Sequence, residues 1–564
     1  MANRYVRTAG GNYSTAATWA STSGGTDSVA VPTSADDVFL DANSGQLTVD
    51  AASAAKSVNC TGYTGTLTHN AFVWTVAGSV TFVSGMTYTP LETSTVTLSA
   101  TNTLTTAGKL FPLMILNTGI TTTLADGLNF MASKVITLTL NGSSLTLNGQ
   151  TVSGNSATNR VLIRTNTIGT TYTITNTTGT FANADFRDIT LSAAADLSAI
   201  TGLSGNCGGN SGITFTTAAT QTYTGGTDNW SEVTKWTSRV PLPQDDVLMS
   251  GVTGGTITAD MPRLGKSIDW TGASGTPTWT IGTAVTYYGS LTMISGMVFA
   301  QGANIIGAEG RGSFTITSAG MSFSNAFEQR MIGGTLIPQD AFLGTQFLTL
   351  ANGTFTNSNN VNITFSKFAA SGTGVRAINM GNVIWTFSGV NTASVVWNTS
   401  TTTNLTFNAQ SSTILFSDTS ATDKTLTCGG LTYNDLKIAG GGTGAIIITG
   451  ANTFNRIYTD GGGTKSITLP GSTTTTLLSG QGLGNATNVI TFTASAGSAT
   501  VSKAAGKVKW NYVSLTNIPS TGGAVFYAGI NSTDGGGNTG WLFRNAPSSG
   551  ASKKVRLFYK FPLR

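Results

Sequence analysis

The stretch Ile136-Thr137-Leu138-Thr139-Leu140-Asn141-Gly142-Ser143-Ser144-Leu145-Thr146-Leu147-Asn148-Gly149 decides how the chain reads. Apolar residues alternate with polar ones at period two, the signature of a strand with one face in a core and the other in water. Branching at Cβ suits threonine to such a half-buried, pleated position. The alternation stops at Asn-Gly, which supplies the φ > 0 backbone of a tight corner. Ser144 to Gly149 therefore reads as one strand and its corner.

The same texture fills all 564 residues. Charged residues make up 9% of the chain, against about 25% in an ordinary soluble protein. Only four glutamates occur, Glu92, Glu232, Glu309 and Glu328, and no long apolar stripe at i, i+3, i+4, i+7 announces a helix. Short strands between turns leave two architectures. One is a string of β-sandwiches; the other is a β-solenoid, in which each coil buries its apolar face only against its neighbours.

The chain also repeats itself in order. N-Y-S-x-x-x-x-W, ending at Trp19, returns as N-W-S-x-x-x-x-W, ending at Trp236. V-P-x-x-x-D-D-V carries Asp36 and Asp37 in one copy and Asp245 and Asp246 in the other. G-x-[LI]-T-x-D follows at Gly45 and Gly255, K-S-[VI]-x-x-T-G at Lys56 and Lys266, and G-S-x-T-x-x-S-G-M at Gly78 and Gly289. Both copies close on G-G-N-[ST]-G-x-x-F, with Asn210 and Asn538 at its centre. Residues 1–220 and 221–543 are thus predicted to be two copies of one module, the second lengthened by an insertion at about 298–413. A stack accepts extra coils without disturbing its ends, which a closed sandwich does not. Tandem, all-β solenoid modules resembling a parallel β-helix are expected. Trp19, Trp230 and Trp236 are read as caps over each first coil, since an open strand edge recruits other chains.

Charge is unevenly placed. Of the 29 basic residues, six (Arg544, Lys553, Lys554, Arg556, Lys560, Arg564) follow the last motif, leaving 23 against 24 acidic ones. A neutral body argues against nucleic acid, which calls for a basic face across the fold. In the arm at 544–564, Leu557, Tyr559 and Phe561 alternate with Arg556, Lys560 and other residues, as on a two-faced strand. With Lys553, Lys554 and Arg564 they form a segment expected to dock as an added strand on another protein. Met1 to Arg7 carries cations but no apolar run follows, and nothing approaches a span of ~20 residues, so neither a signal peptide nor membrane insertion is expected. Cys60, Cys207 and Cys428 have no C-x-x-C spacing, so no disulfide framework or zinc site is indicated. Cys60 aligns with Trp270 and reads as a buried apolar side chain.

Catalytic vocabulary is sparse. The one histidine, His69, follows Leu67-Thr68 at a turn and is read as a solvated surface residue; the second copy has no counterpart for a Ser-His-Asp arrangement. The doublets Asp36-Asp37 and Asp245-Asp246 are the best acids for a glycosidase pair or, with Asp41 or Asp50, for Ca²⁺. Neighbouring strand residues point to opposite faces, however. An Asp after a Pro-containing turn accepts backbone N–H bonds, so a structural role is preferred, with no catalytic residue, metal or cofactor. The Gly-Gly-Asn closures, with Asp534 before the second and Asn206 before the first, are read as turns rather than calcium loops.

The W…P-x-x-x-D-D-V opening, with G-x-[LI]-T-x-D and K-S-[VI] after it, resembles the start of β-helical modules in virion proteins of tailed phages and in bacterial surface proteins. The closing D-G-G-G-N-T-G-W-x-F, Asp534 to Phe543, resembles the ends of phage tail-fibre and tailspike-like chains. This resemblance implies a non-enzymatic structural or receptor-binding virion component (fibre, spike or head decoration) assembled in the host cytoplasm. Its expected partners are other virion proteins, its own copies in a homotrimer, and a host surface glycan. The alternative is a tailspike depolymerase cutting host polysaccharide. Around the insertion, that chemistry would have to draw on Glu309, Glu328, Asp340, Trp385 and Trp397, a thin set.

Overall fold

The computed structural model describes residues 2–200, 202–389, 395–440, 442–459, 465–480 and 484–547. The docking segment expected from Lys553 to Arg564 lies outside them. The described residues contain no α-helix, only two short 3₁₀ turns at Ala16–Thr18 and Val233–Lys235. Parallel strands stack in about 22 turns of a β-solenoid, so the sandwich alternative, which needs antiparallel sheets, is not what the chain forms.

The chain divides into two compact units, Met1–Gly344 with Thr349–Phe355, and Thr345–Leu348 with Thr356–Arg564. In the first unit each coil of the first copy supplies a strand to each of several sheets. Val38, Val58, Val80, Leu104 and Leu124 fall in one column, spaced by 20, 22, 24 and 20 residues. All five are buried. The alternation in the sequence is what builds this column: one residue in two turns inward, and parallel register places like on like. The opening stretch behaves as it reads. Leu138 stacks between Met114 and Ile163, and Asn148 and Gly149 turn the corner with φ of 52° and 81°. A branched side chain at either corner would be strained there.

In the second unit Trp385, Ile414, Leu436 and Ile457 make a comparable column. Beside it Phe368 stacks on Trp397 at 4.6 Å between ring centres, and Tyr433 stacks on Phe454 at 5.3 Å. These aromatic pairs add contact energy beyond their buried area.

Each copy begins with the same closure. Trp19–Ala20 pairs antiparallel with Asn3–Val6, matching Val6 to Trp19, and an antiparallel bridge joins Tyr223 to Trp236 in the second copy. Trp19 Nε1 donates to Tyr13 O at 2.8 Å, and Trp236 Nε1 donates to Trp230 O at 2.7 Å. Trp230 is buried under the same arrangement. The antiparallel return occupies the hydrogen-bonding edge that a parallel stack would otherwise leave open.

Candidate functional site

The Asp doublets sit where a coil turns into a strand. Asp36 is buried and accepts from the Ala2 and Thr33 amides at 2.9 and 3.0 Å and from the Thr33 hydroxyl at 2.8 Å. Burial disfavours its charge, but the Thr33 hydroxyl and the Thr33 and Ala2 amides outweigh that and hold the carboxyl below the usual range. Asp245 does the same work: it accepts from the Ala219 and Leu242 amides and pairs with Arg239 at 2.7 Å. Asp37 and Asp246, the first residues of the next strands, turn the other way. Asp37 lies 2.9 Å from Lys56 Nζ, and Asp246 lies 3.8 Å from Lys266 Nζ. Neither doublet therefore presents two carboxylates to one ligand.

The remaining acids considered for chemistry are similarly engaged. Asp50 holds the Ser14 amide and hydroxyl, and its counterpart Asp260 holds those of Ser231. Asp41 accepts from Asn43 N at 2.9 Å and from the Ser44 hydroxyl at 3.2 Å. Asp340 accepts from the Ser318 and Ala319 amides. Among the described residues, no three or more His, Cys, Asp or Glu side chains gather as a metal would need.

The closures match atom for atom. Asn210 accepts from Ile189 N at 2.9 Å and donates to Phe186 O, while Asn538 accepts from Ile518 N at 2.9 Å and donates to Leu515 O. Asn210 also donates to Asn206, and Asn538 to Asp534. Asn206 and Asp534 thus do one job with an acceptor oxygen that needs no charge.

His69 corrects the sequence reading. It is not solvated but fully buried, with Nδ1 3.0 Å from Tyr88 Oη and Nε2 3.0 Å from Phe72 O. Burial pushes its pKa down to about 4, so it is neutral at ordinary pH. Cys60, Cys207 and Cys428 are all buried free thiols. Burial raises each to about 12, far from the thiolate that reactivity requires.

A buried charged cluster among the described residues was not singled out in the sequence. Within the first unit, the face carrying Val161–Thr165, Ala184–Arg187 and Ser204–Asn206 meets the opening coils of the second copy. Asp185, with no exposed surface, takes Arg160 Nε at 2.7 Å and Arg263 Nε at 2.5 Å. Arg263 also donates to Arg160 O at 2.9 Å. Burial works against the Asp185 charge, yet the two guanidiniums hold its carboxyl below the ordinary range. Nearby, Arg187 lies 3.2 Å from Glu309, and Arg311 pairs with Asp188. The signal available in the sequence was charge inside apolar strands, as in Arg160-Val-Leu-Ile-Arg164 and Ala184-Asp-Phe-Arg-Asp188, in a chain with few charges to place.

Beside the first cap runs an open groove of about 610 Å³, lined by residues including Tyr13, Ser14, Thr33, Ser53 and Val73. No protein-family model, curated protein or solved structure matches the chain.

Proposed function

We propose that this chain is a non-enzymatic scaffold of a tailed-phage virion, a fibre, spike or decoration component that presents its coil surfaces to other virion proteins, to its own copies in a trimer, or to a host glycan. The observation that carries the reading is how the acids are used. Asp36, Asp50, Asp245 and Asp260 each bind main-chain amides that position a cap or a strand start. Carboxylates so engaged hold geometry and are poorly placed to move protons to a substrate. The groove beside the first cap, where Val31, Pro32 and Val73 lie among serines and threonines, is a mixed apolar and polar surface of the kind that takes the weak contact of a neutral sugar. The phage assignment itself rests on the resemblance of the opening and closing motifs.

Gold labelling of the C-terminus on intact particles tests the placement, with label expected on the virion. Incubation with host capsule or lipopolysaccharide tests the absence of catalysis. Release of reducing ends that disappears in Asp245→Asn or Glu328→Gln would overturn the non-enzymatic reading in favour of a depolymerase.

A further inference from the structure

We propose that the groove at the edge of the charged seam in the first unit is a binding site for an oxyanion, a phosphate, sulfate or carboxylate borne on a group no larger than one sugar ring. The cavity measures about 290 Å³, and four arginines, Arg164, Arg187, Arg263 and Arg330, line it beside a single carboxylate, Glu309. That volume is at the lower end for small-molecule pockets, which limits the occupant to an inorganic ion or a monosaccharide.

The arginines are not all neutralised from within. Arg263 shares Asp185 with Arg160. Glu309 is itself shared, 3.2 Å from Arg187 Nη1 and 3.5 Å from Arg330 Nη1. Arg164 has a neutral partner, Thr139 Oγ1, 3.3 Å from its Nε. Arg187 Nε and Arg330 Nε are buried without a hydrogen bond, with Asp188 and Glu328 oxygens 4.0 and 3.5 Å away. Buried donors of this kind are costly unless something accepts from them.

Register makes the excess worse. Arg164 and Arg187 are direct partners on adjacent parallel strands, so two like charges are stacked on one face of the sheet. Burial, then Arg187, disfavours the charge on Arg164. A guanidinium does not shed its proton at neutral pH, so the repulsion remains in the folded protein, offset in part by Glu309, which favours the charge on both Arg164 and Arg187. Planar guanidiniums with free N–H groups suit the two-pronged geometry of an oxyanion, and the Thr137 and Thr286 side chains beside them add hydroxyls.

The test is calorimetric titration of the full chain with sodium phosphate, sodium sulfate and sodium glucuronate, with sodium chloride at matched ionic strength and glucose as controls. Saturable binding of at least one oxyanion, absent with chloride and glucose, is expected. The arm that saturates tells an inorganic ion from an acidic sugar. Arg164→Met leaves no carboxylate unpaired, so it should fold with an unchanged or higher melting temperature and bind at least about tenfold more weakly, the loss of one charge-assisted contact. Lys109→Met, outside the groove, should bind as the parent does. No saturable binding of any of the three by the parent chain, or undiminished binding by Arg164→Met, overturns the proposal. Should Arg164→Met not fold, Arg164→Lys keeps the charge, loses the planar fork, and must still weaken binding.

Discussion

His69 is buried between Tyr88 and the Phe72 carbonyl, so protonating it places a charge where water cannot reach. Its folded pKa, about 4, lies below the ordinary histidine value. The unfolded chain therefore takes up the proton first. The stability that neutral His69 contributes is complete above about pH 6.5 and is lost as pH falls from there through about 4, amounting to roughly 3 kcal/mol when fully expressed. Because the chain has one histidine, its ring resonances can be followed without assignment, and a titration midpoint near 4 is expected. Denaturant midpoints should fall across that window, and fall less in His69→Gln; a midpoint near 6.5 would show that the ring is solvated after all. The sequence could not reveal this environment. Tyr88 is 19 residues away on the next coil, paired there because Pro90 stands opposite His69 in the parallel register. Asp36 and Asp245 were legible by contrast, because most of what they bind lies within a few residues along the same turn.

At the scale of the element, the closures and corners are where the chain invests its polar side chains. Asn538 satisfies the buried Ile518 amide and the Leu515 carbonyl with one amide group. Asn538→Ala would orphan the Ile518 amide, while the Leu515 carbonyl keeps the Gly535 amide at 2.8 Å, at a cost of about 1 to 3 kcal/mol. In a stack of coils that loss should stay local. Hydrogen exchange at Ile518 and its neighbours should accelerate while the Val58 and Val80 column stays protected; uniform acceleration would mean that the coils unfold as one. These closures could be read because their spacing is identical in both copies. Another shared device was missed. Thr106 and Ala107 amides bind Asp126, and Ser318 and Ala319 amides bind Asp340, with Ala107 and Ala319 both at φ 50°. The intervals from turn to acid, 20 residues in one copy and 22 in the other, put a rigid alignment out of step. The likeness of the copies thus extends past Met297, the point from which the insertion was counted.

For the molecule as a whole, repetition was legible and the pairing of faces was not, because period-two alternation specifies which side chains turn inward but says nothing about which outer face another copy will cover. In the first unit that cover is ionic. Taking Arg160, Asp185 and Arg263 out of water costs several kcal/mol per ion, and their mutual attraction roughly repays it, so the triad specifies a match between faces more than it adds stability. The two ways of removing it should then differ in outcome. Asp185→Asn leaves two buried guanidiniums facing each other and should cost about 3 to 5 kcal/mol. The triple replacement Arg160→Met, Asp185→Leu, Arg263→Met removes every charge with side chains of similar bulk and should be near neutral, or up to about 4 kcal/mol more stable. Denaturant unfolding of the three chains, followed by tryptophan fluorescence, measures the difference. If the triple variant loses as much as Asp185→Asn, the attraction exceeds the desolvation and the seam is a net source of stability. Should the predicted order hold, the charges are retained for register between the faces, and the triple variant, though stable, should show weaker exchange protection at the amides of Ala184 to Arg187 than the parent does.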